Sequence, residues 1–277
     1  MINAKTIFIT GCSSGIGYTT ALVLKNRGHR VICSARKPPD VQRLQAEGFE
    51  CLQLDLANSD SIKQAVETLT AMTAGKIDAL FNNGAYGQPG AVEDLSRETL
   101  RNQFETNFFG VHELTNLLIP LMRQQGHGRI IYNSSVLGFV AMKFRGAYNA
   151  SKFALEGLAD TLRLELRGSG IHVVLIEPGP IESHFRQNAM AMYKMNIDSC
   201  SSFHKNTYLA MEDRLQKPGP AAPFTLPATA VAEKVRHALE TQNPKSRYFV
   251  TFPTYLFAYL KRLLPTAWLD KILVSIE

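Results

Sequence analysis

Thr6-Ile-Phe-Ile-Thr10 runs into Gly11-Cys-Ser-Ser-Gly15-Ile-Gly17, and from there into Tyr18-Thr-Thr-Ala-Leu-Val-Leu-Lys-Asn-Arg27 before Gly28. The first piece is β-branched and aromatic, the composition of a short strand. The last piece carries apolar residues at helical spacing and is closed by Gly28, which predicts a helix from Ile16 to Arg27. Between them the glycines let the backbone turn tightly and let a ligand approach it. The start of the helix offers N–H groups with no intrahelical partner and a partial positive charge. A strand, a glycine turn and a helix in this order form a cradle for an anion.

The same alternation continues downstream. Arg30-Val-Ile-Cys-Ser34, Cys51-Leu-Gln-Leu54, Ala79-Leu-Phe81, Arg129-Ile-Ile-Tyr-Asn133 and His172-Val-Val-Leu-Ile176 read as strands. A helix capped by Asn58 or Ser59 is predicted to run towards Ala74, and a long helix precedes Arg129. Short apolar strands alternating with helices imply an α/β fold with a parallel sheet covered on both faces. This is a Rossmann-type, doubly wound arrangement, whose ligand crevice lies beyond the carboxyl ends of the strands. The residues there are small, polar or reactive: Gly11 to Gly15, Ala35-Arg36, Asp55, Asn82-Asn83-Gly84, Ser134-Ser135 and Pro178-Gly179.

With 277 residues, 45% of them hydrophobic, the chain can fill one large core, and a single domain over 1–277 is expected. The stretch 185–226, rich in Met, Ser, Asn and Tyr, reads as a helical flap inserted over the crevice, and 252–277 as an apolar tail with a basic spot. The net charge of +6 comes without a run of five or six like charges, so nucleic acid is not an expected partner. Cys12, Cys33, Cys51 and Cys200 form neither a CxxC pair nor a His/Cys spacing of the zinc type, so no metal site is expected. Reduced thiols, no leader-like start and no apolar run of roughly 18 residues point to a cytoplasmic protein. The tail could lie on a membrane surface, but its polar face is weakly charged for that role. Packing on its own body or on a second subunit of a homo-oligomer is the favoured reading.

The end of the second strand separates two dinucleotides. An acidic residue there would hold the ribose 2′-OH of NAD. Ala35 followed by Arg36 offers no carboxylate to repel a 2′-phosphate and a guanidinium to pair with it, with Ser13 able to donate a further bond. The cofactor predicted is NADP(H).

Tyr148 and Lys152 stand four residues apart in Ala147-Tyr-Asn-Ala-Ser-Lys-Phe-Ala-Leu155, on one face of the start of a helix. A free phenol titrates at about 10. A neighbouring ammonium is expected to bring Tyr148 down towards working pH. Ser135 lies at a strand end before it, and Asn107 lies in the long preceding helix. With the glycine turn, Asn82-Asn83 and Pro178-Gly179, the chain from Thr6 to Ser183 closely resembles the short-chain dehydrogenase/reductase family, and within it the branch of 17-beta-hydroxysteroid and retinol dehydrogenase-like enzymes, including bacterial aldehyde reductases.

The resemblance implies hydride exchange between a nicotinamide and a carbonyl or alcohol. By it, Tyr148 would be the acid/base, Lys152 would tune it and bind the nicotinamide ribose, Ser135 would hold the substrate oxygen, and Asn107 would hold a water in a proton relay. Gly11, Ser13, Ser14, Gly15, Ile16 and Gly17 would receive the pyrophosphate. Asp55 and Leu56 would meet the adenine, Asn82, Asn83 and Gly84 would line the cofactor, and Pro178, Gly179, Ile181 and Ser183 would flank the nicotinamide. One departure stands out: the family's Asn-Asn-Ala-Gly is Asn82-Asn83-Gly84-Ala85 here. Either Ala85 adopts a backbone angle usually left to glycine, at a cost of about 1 kcal/mol, or Gly84 absorbs the change.

Phe185, Met190, Met192, Tyr193, Met195, Phe203 and Tyr208 in the flap suit an adaptable apolar pocket, hence a hydrophobic aldehyde or ketone as substrate. The alternative is a catalytically weak NADP(H) sensor or interaction protein on the same fold; the presence of Asn107, Ser135, Tyr148 and Lys152 together speaks against it. The glycine spacing and the chain length speak against the longer epimerase branch.

Overall fold

The structure is a computed structural model that describes residues 4–216, 219–220 and 222–276, so Pro218 of the flap lies outside the described residues. In chain order the elements are β1 (Thr6–Ile9), α1 (Gly15–Asn26), β2 (Arg30–Ala35), α2 (Pro38–Ala46), β3 (Glu50–Gln53), α3 (Ser59–Thr73), β4 (Ala79–Asn82), α4 (Arg97–Phe104) and α5 (Gly110–Gln125). They continue with β5 (Gly128–Asn133), α6 (Gly146–Glu165), β6 (Ile171–Glu177), α7 (Phe185–Asn196), α8 (Lys205–Gln216), α9 (Thr229–Glu240), β7 (Arg247–Phe249), α10 (Phe252–Leu263) and α11 (Thr266–Ser275). The seven strands form one parallel sheet in the order β3-β2-β1-β4-β5-β6-β7. The order reverses between β1 and β4, which opens a crevice at their carboxyl ends.

Both faces of the sheet are covered, and the alternation of side chains along each strand sorts them. Ile7 and Ile9 pack on one face with Ala21 and Leu24 of α1 and Val231 and Val235 of α9. Phe8, between them, points to the other face with Leu80, Tyr132, Leu114 of α5 and Leu155 of α6. Burying each such Leu, Ile or Phe contributes roughly 1.5–3 kcal/mol, which is why strands of four residues hold. Asn58 caps α3 by accepting from the Ser61 N–H at 3.0 Å, as its position predicts.

Three features differ from the sequence reading. The long helix carrying Asn107 is two helices, α4 and α5, joined by a π turn over Glu105–Phe109. A seventh strand, β7, closes the sheet beyond β6. The flap residues Met190, Tyr193, Tyr208 and Met211 are buried in a small core that packs α7 and α8 together; of these, Met190 also lines a cleft beside Gly15 and Ser183. Met195 and Phe203 are exposed. The four cysteines are free. Among the described residues no helix is long and apolar enough to cross a membrane, and no group of His, Cys, Asp and Glu is arranged to hold a metal.

Candidate active site

Two loops meet at the switch between β1 and β4, and each is shaped by what it lacks. Gly11 and Gly15 take φ of +71° and +58°, a region most residues avoid. A Cβ on Gly11 would stand 2.8 Å from the Gly84 Cα, and one on Gly17 would stand 2.3 Å from the Gly11 carbonyl oxygen. Asn83 stitches the loops, its Nδ2 donating to the carbonyls of Thr10 at 2.9 Å and Gly11 at 3.1 Å. The Thr10 hydroxyl accepts from the N–H groups of Asn83 at 2.9 Å and Gly84 at 2.8 Å. Ser14, between Ser13 and Ile16, precedes α1 in an extended conformation and makes no side-chain cap to the first turn of the helix. This cradle of bare backbone at a helix N-terminus fits the pyrophosphate of a dinucleotide.

The expected strain at the reordered motif does not arise. Neither Gly84 nor Ala85 takes a positive φ. A Cβ on Gly84 would press on Leu56 Cδ1 at 3.0 Å and Thr10 Oγ1 at 3.3 Å. An alanine at 84 would need the Leu56 side chain to give by a few tenths of an ångström, and alanine at 85 sits in ordinary backbone. Asn82 is also placed differently from the expectation that it lines the cofactor. Its Nδ2 donates to Thr115 Oγ1 of α5 at 3.0 Å in the core. Successive strand residues face opposite ways, so Asn83 takes the crevice and Asn82 the interior.

Arg36 is exposed directly after the buried Ala35. Arg43 of α2 donates to the Ser13 carbonyl at 2.6 Å, a second guanidinium beside the loop that sequence reasoning missed. Asp55 is folded on its own turn, accepting from the Ala57 N–H at 3.0 Å, and Leu56 is buried. Ser183 lies against the loop, where a Cβ on Gly15 would come within 3.2 Å of its Cβ. Ile181 bridges to Leu226. The Pro178 carbonyl accepts from the Val136 N–H at 2.8 Å, and Gly179 is pressed on Thr251.

At the end of β5 the polar groups gather. Lys152 Nζ donates to the Asn133 carbonyl at 2.7 Å and stands 5.7 Å from the centre of the Tyr148 ring. Ser135 Oγ accepts from the Leu137 N–H at 3.1 Å, and the Ser135 side chain favours the Tyr148 phenolate. Asn133 Nδ2 donates to Asn83 Oδ1 at 2.9 Å, which ties this cluster to the glycine cradle. Asn107 spends its amide on structure: Nδ2 donates to the Tyr86 carbonyl at 2.9 Å and Ser151 Oγ at 3.3 Å, and Oδ1 accepts from the Tyr86 N–H at 3.1 Å. Its side chain holds the loop after β4.

With this geometry in view, residues 5–194 match the family described as short chain dehydrogenase. The chain belongs to the short-chain dehydrogenase/reductase family. It is similar to the uncharacterized oxidoreductase YbbO of Escherichia coli (strain K12), 44% identical over 269 residues, covering 97% of this chain and 94% of the relative. It is 32% identical to human 17-beta-hydroxysteroid dehydrogenase type 1 over 264 residues, covering 90% and 78% of the two chains. A crystal structure of a short-chain dehydrogenase/reductase from Burkholderia phymatum in complex with NAD superposes with a TM-score of 0.79 at 25% identity, covering 95% and 93%.

In this short-chain oxidoreductase the electrostatics of the cluster run against one expectation. Lys152 does not draw the Tyr148 phenol downward: burial pushes it up to about 12, and the bond with Ser135 and the Arg145 charge offset only part of that. The cause is geometric, because the ammonium is anchored to Asn133 and not to the phenol oxygen. Burial lowers Lys152 itself to about 8, with the Glu156 carboxylate, one turn along α6, pulling the other way. Phe185, at the start of α7, packs edge-on against Tyr148 with ring centres 5.4 Å apart. Gly87 makes room for it, since a Cβ there would meet the Phe185 ring at 2.7 Å.

Proposed function

We propose that this chain is an NADP(H)-dependent oxidoreductase that reduces a hydrophobic aldehyde or ketone to the alcohol, or runs the reverse, at a site of Ser135, Tyr148, Lys152 and Asn107. The observation that carries the reading is the gathering of Ser135, Tyr148 and Lys152 at the end of β5 and the start of α6, where Lys152 Nζ donates to the Asn133 carbonyl and Asn133 is bonded through Asn83 to the glycine cradle.

A bound reduced nicotinamide supplies hydride to a carbonyl carbon. The protein's part is to manage the oxygen. Ser135 and Tyr148 would hydrogen-bond it as negative charge grows there. A phenol held near 12 is protonated at neutral pH and serves as the acid in the reducing direction. In the oxidising direction the same group must lose its proton, so that rate rises with pH. Lys152, near 8, carries its charge below that pH and gives it up above. Asn107 fixes the loop after β4 through Tyr86.

The choice of NADP(H) is supported by the exposed Arg36, the buried Ala35 and the lack of a carboxylate at the end of β2. The apolar substrate is supported by the residues around Ser135 and Tyr148. Phe185 lies on the phenol, and Val136, Leu137 and Phe257 pack with Tyr148. The human relative is itself named for a hydroxysteroid.

A screen of aliphatic aldehydes, retinal and steroid ketones, run with NADPH and with NADH, tests the reading. NADPH consumption with at least one apolar carbonyl, and slower NADH consumption, is expected. A clear NADH preference overturns the cofactor assignment, and no consumption with any carbonyl overturns the reaction.

A further inference from the structure

Glu156 follows Lys152 by one helical turn on α6 and leads into a buried acidic cluster. Arg247 of β7 donates through Nη1 to both Glu156 Oε2 and Glu177 Oε1, and through Nη2 to Asp160 Oδ2. Glu177, the last residue of β6, is fully buried, and Glu156 nearly so. Three carboxylates thus face one guanidinium. Asp160, the most exposed of them, has a second cation in Arg163 at 2.9 Å.

The geometry of the two buried acids leaves a gap. Each gives one oxygen to the same nitrogen, so they lie side by side. The other oxygens, Glu156 Oε1 and Glu177 Oε2, are buried with no hydrogen-bond partner. An ionised carboxylate only accepts, so two ionised groups would leave both oxygens bare, at a cost of about 1–3 kcal/mol each or more. One proton between them makes one a donor and the other an acceptor, and lowers the excess negative charge beside Arg247.

We propose that Glu156 and Glu177 share one proton at neutral pH and, clamped by Arg247, act as positioning residues that keep Lys152 charged. Two buried carboxylates in contact do not both ionise readily. In line with this, burial and the neighbouring Glu156 push Glu177 up to about 8, and Glu156 opposes the loss of charge on Lys152. The charged groups facing the pair are Lys152, Asp160 and Arg163 on α6 and Arg247 on β7. The turn after β5 brings the Ser134 hydroxyl and Gly138, where a Cβ would stand 2.6 Å from Ser134 Oγ and 3.0 Å from Glu156 Oε1. The effect on turnover rests on the carbonyl chemistry proposed above, whereas the shared proton does not.

Infrared spectroscopy of the full chain separates the two. A protonated-carboxyl stretch is expected in the wild type at pH 7, fading as pH rises past about 8. It is expected to vanish in Glu177→Gln and in Glu156→Gln, whose amides donate to the remaining carboxylate as the proton does and so keep the fold. A wild-type spectrum without that band at pH 7, or a band that survives in both variants, overturns the shared proton. If either variant fails to fold, the wild-type titration alone decides. For the positioning role, Glu156→Gln is expected to move the alkaline limb of kcat/KM for reduction down by about one pH unit, while Glu177→Gln, which leaves an ionised carboxylate next to Lys152, does not lower it. An unmoved limb in Glu156→Gln overturns that role. A protein with the band but no carbonyl reduction upholds the pair and refutes the function.

Discussion

The crevice has two sides built on opposite principles. At β1 and β4 the surface is backbone: Gly11, Gly17 and Gly84 are pressed so close that added Cβ atoms would meet neighbouring atoms at 2.8, 2.3 and 3.0 Å. At β5 and α6 the surface is side chain: Lys152 and Ser135 are held by hydrogen bonds and Tyr148 by aromatic contact with Phe185. At Gly11 and Gly17 the first side tolerates no addition, because the atoms met are backbone and cannot step aside. The second tolerates changes of size but not the loss of a particular atom. Binding and chemistry should therefore be separable by mutation.

Among changes that leave the Tyr148 oxygen in place, the largest effect is expected from Gly17→Ala. Its methyl would collide with the Gly11 carbonyl, and forcing it in costs about 3 kcal/mol, seen as a lowered Tm and as NADPH affinity weakened by about 100-fold or more. Unchanged affinity by fluorescence titration would break the comparison on its rigid side. Next comes Arg36→Ala. Losing one charge-assisted contact at an exposed site costs about 1.5 kcal/mol, so the NADPH-over-NADH ratio of kcat/KM is expected to fall about tenfold; an unchanged ratio removes Arg36 from cofactor selection. The smallest is Phe185→Ala. Its contact with Tyr148 is an aromatic pair of about 0.5–1.5 kcal/mol, so a few-fold change is expected, chiefly in KM for bulky carbonyls. A collapse of kcat would show that the flap side is as unforgiving as the glycine side.

The same division explains what could be read from the residues alone. Six strands lie within a residue or so of their predicted positions, because Ile7-Phe-Ile9 or Val173-Val-Leu-Ile176 are buried on both faces and read as unbroken apolar runs. The glycine cradle was legible because only glycine meets its backbone demands. β7 was not: Arg247-Tyr-Phe249 is short and opens on an arginine whose partners, Glu156, Glu177 and Asp160, come from distant parts of the chain. The π turn at Asn107 leaves no mark on helical spacing. Tyr-x-x-x-Lys announces that two side chains share a helix face, yet the direction of the Tyr148 shift depends on burial and on where Asn133 anchors the ammonium. The flap's methionines and tyrosines looked like a pocket, but Tyr193 and Tyr208 are spent on packing α7 against α8, and Met190 alone of the three also lines a cleft.

The most direct test removes a single oxygen. NADPH affinity and single-turnover carbonyl reduction should be measured together on Tyr148→Phe, whose ring keeps its place against Phe185. The account predicts wild-type affinity with reduction slowed about 10²–10⁴-fold, the scale of a lost general acid. Reduction at the wild-type rate would contradict it, and so would affinity and rate falling by the same factor.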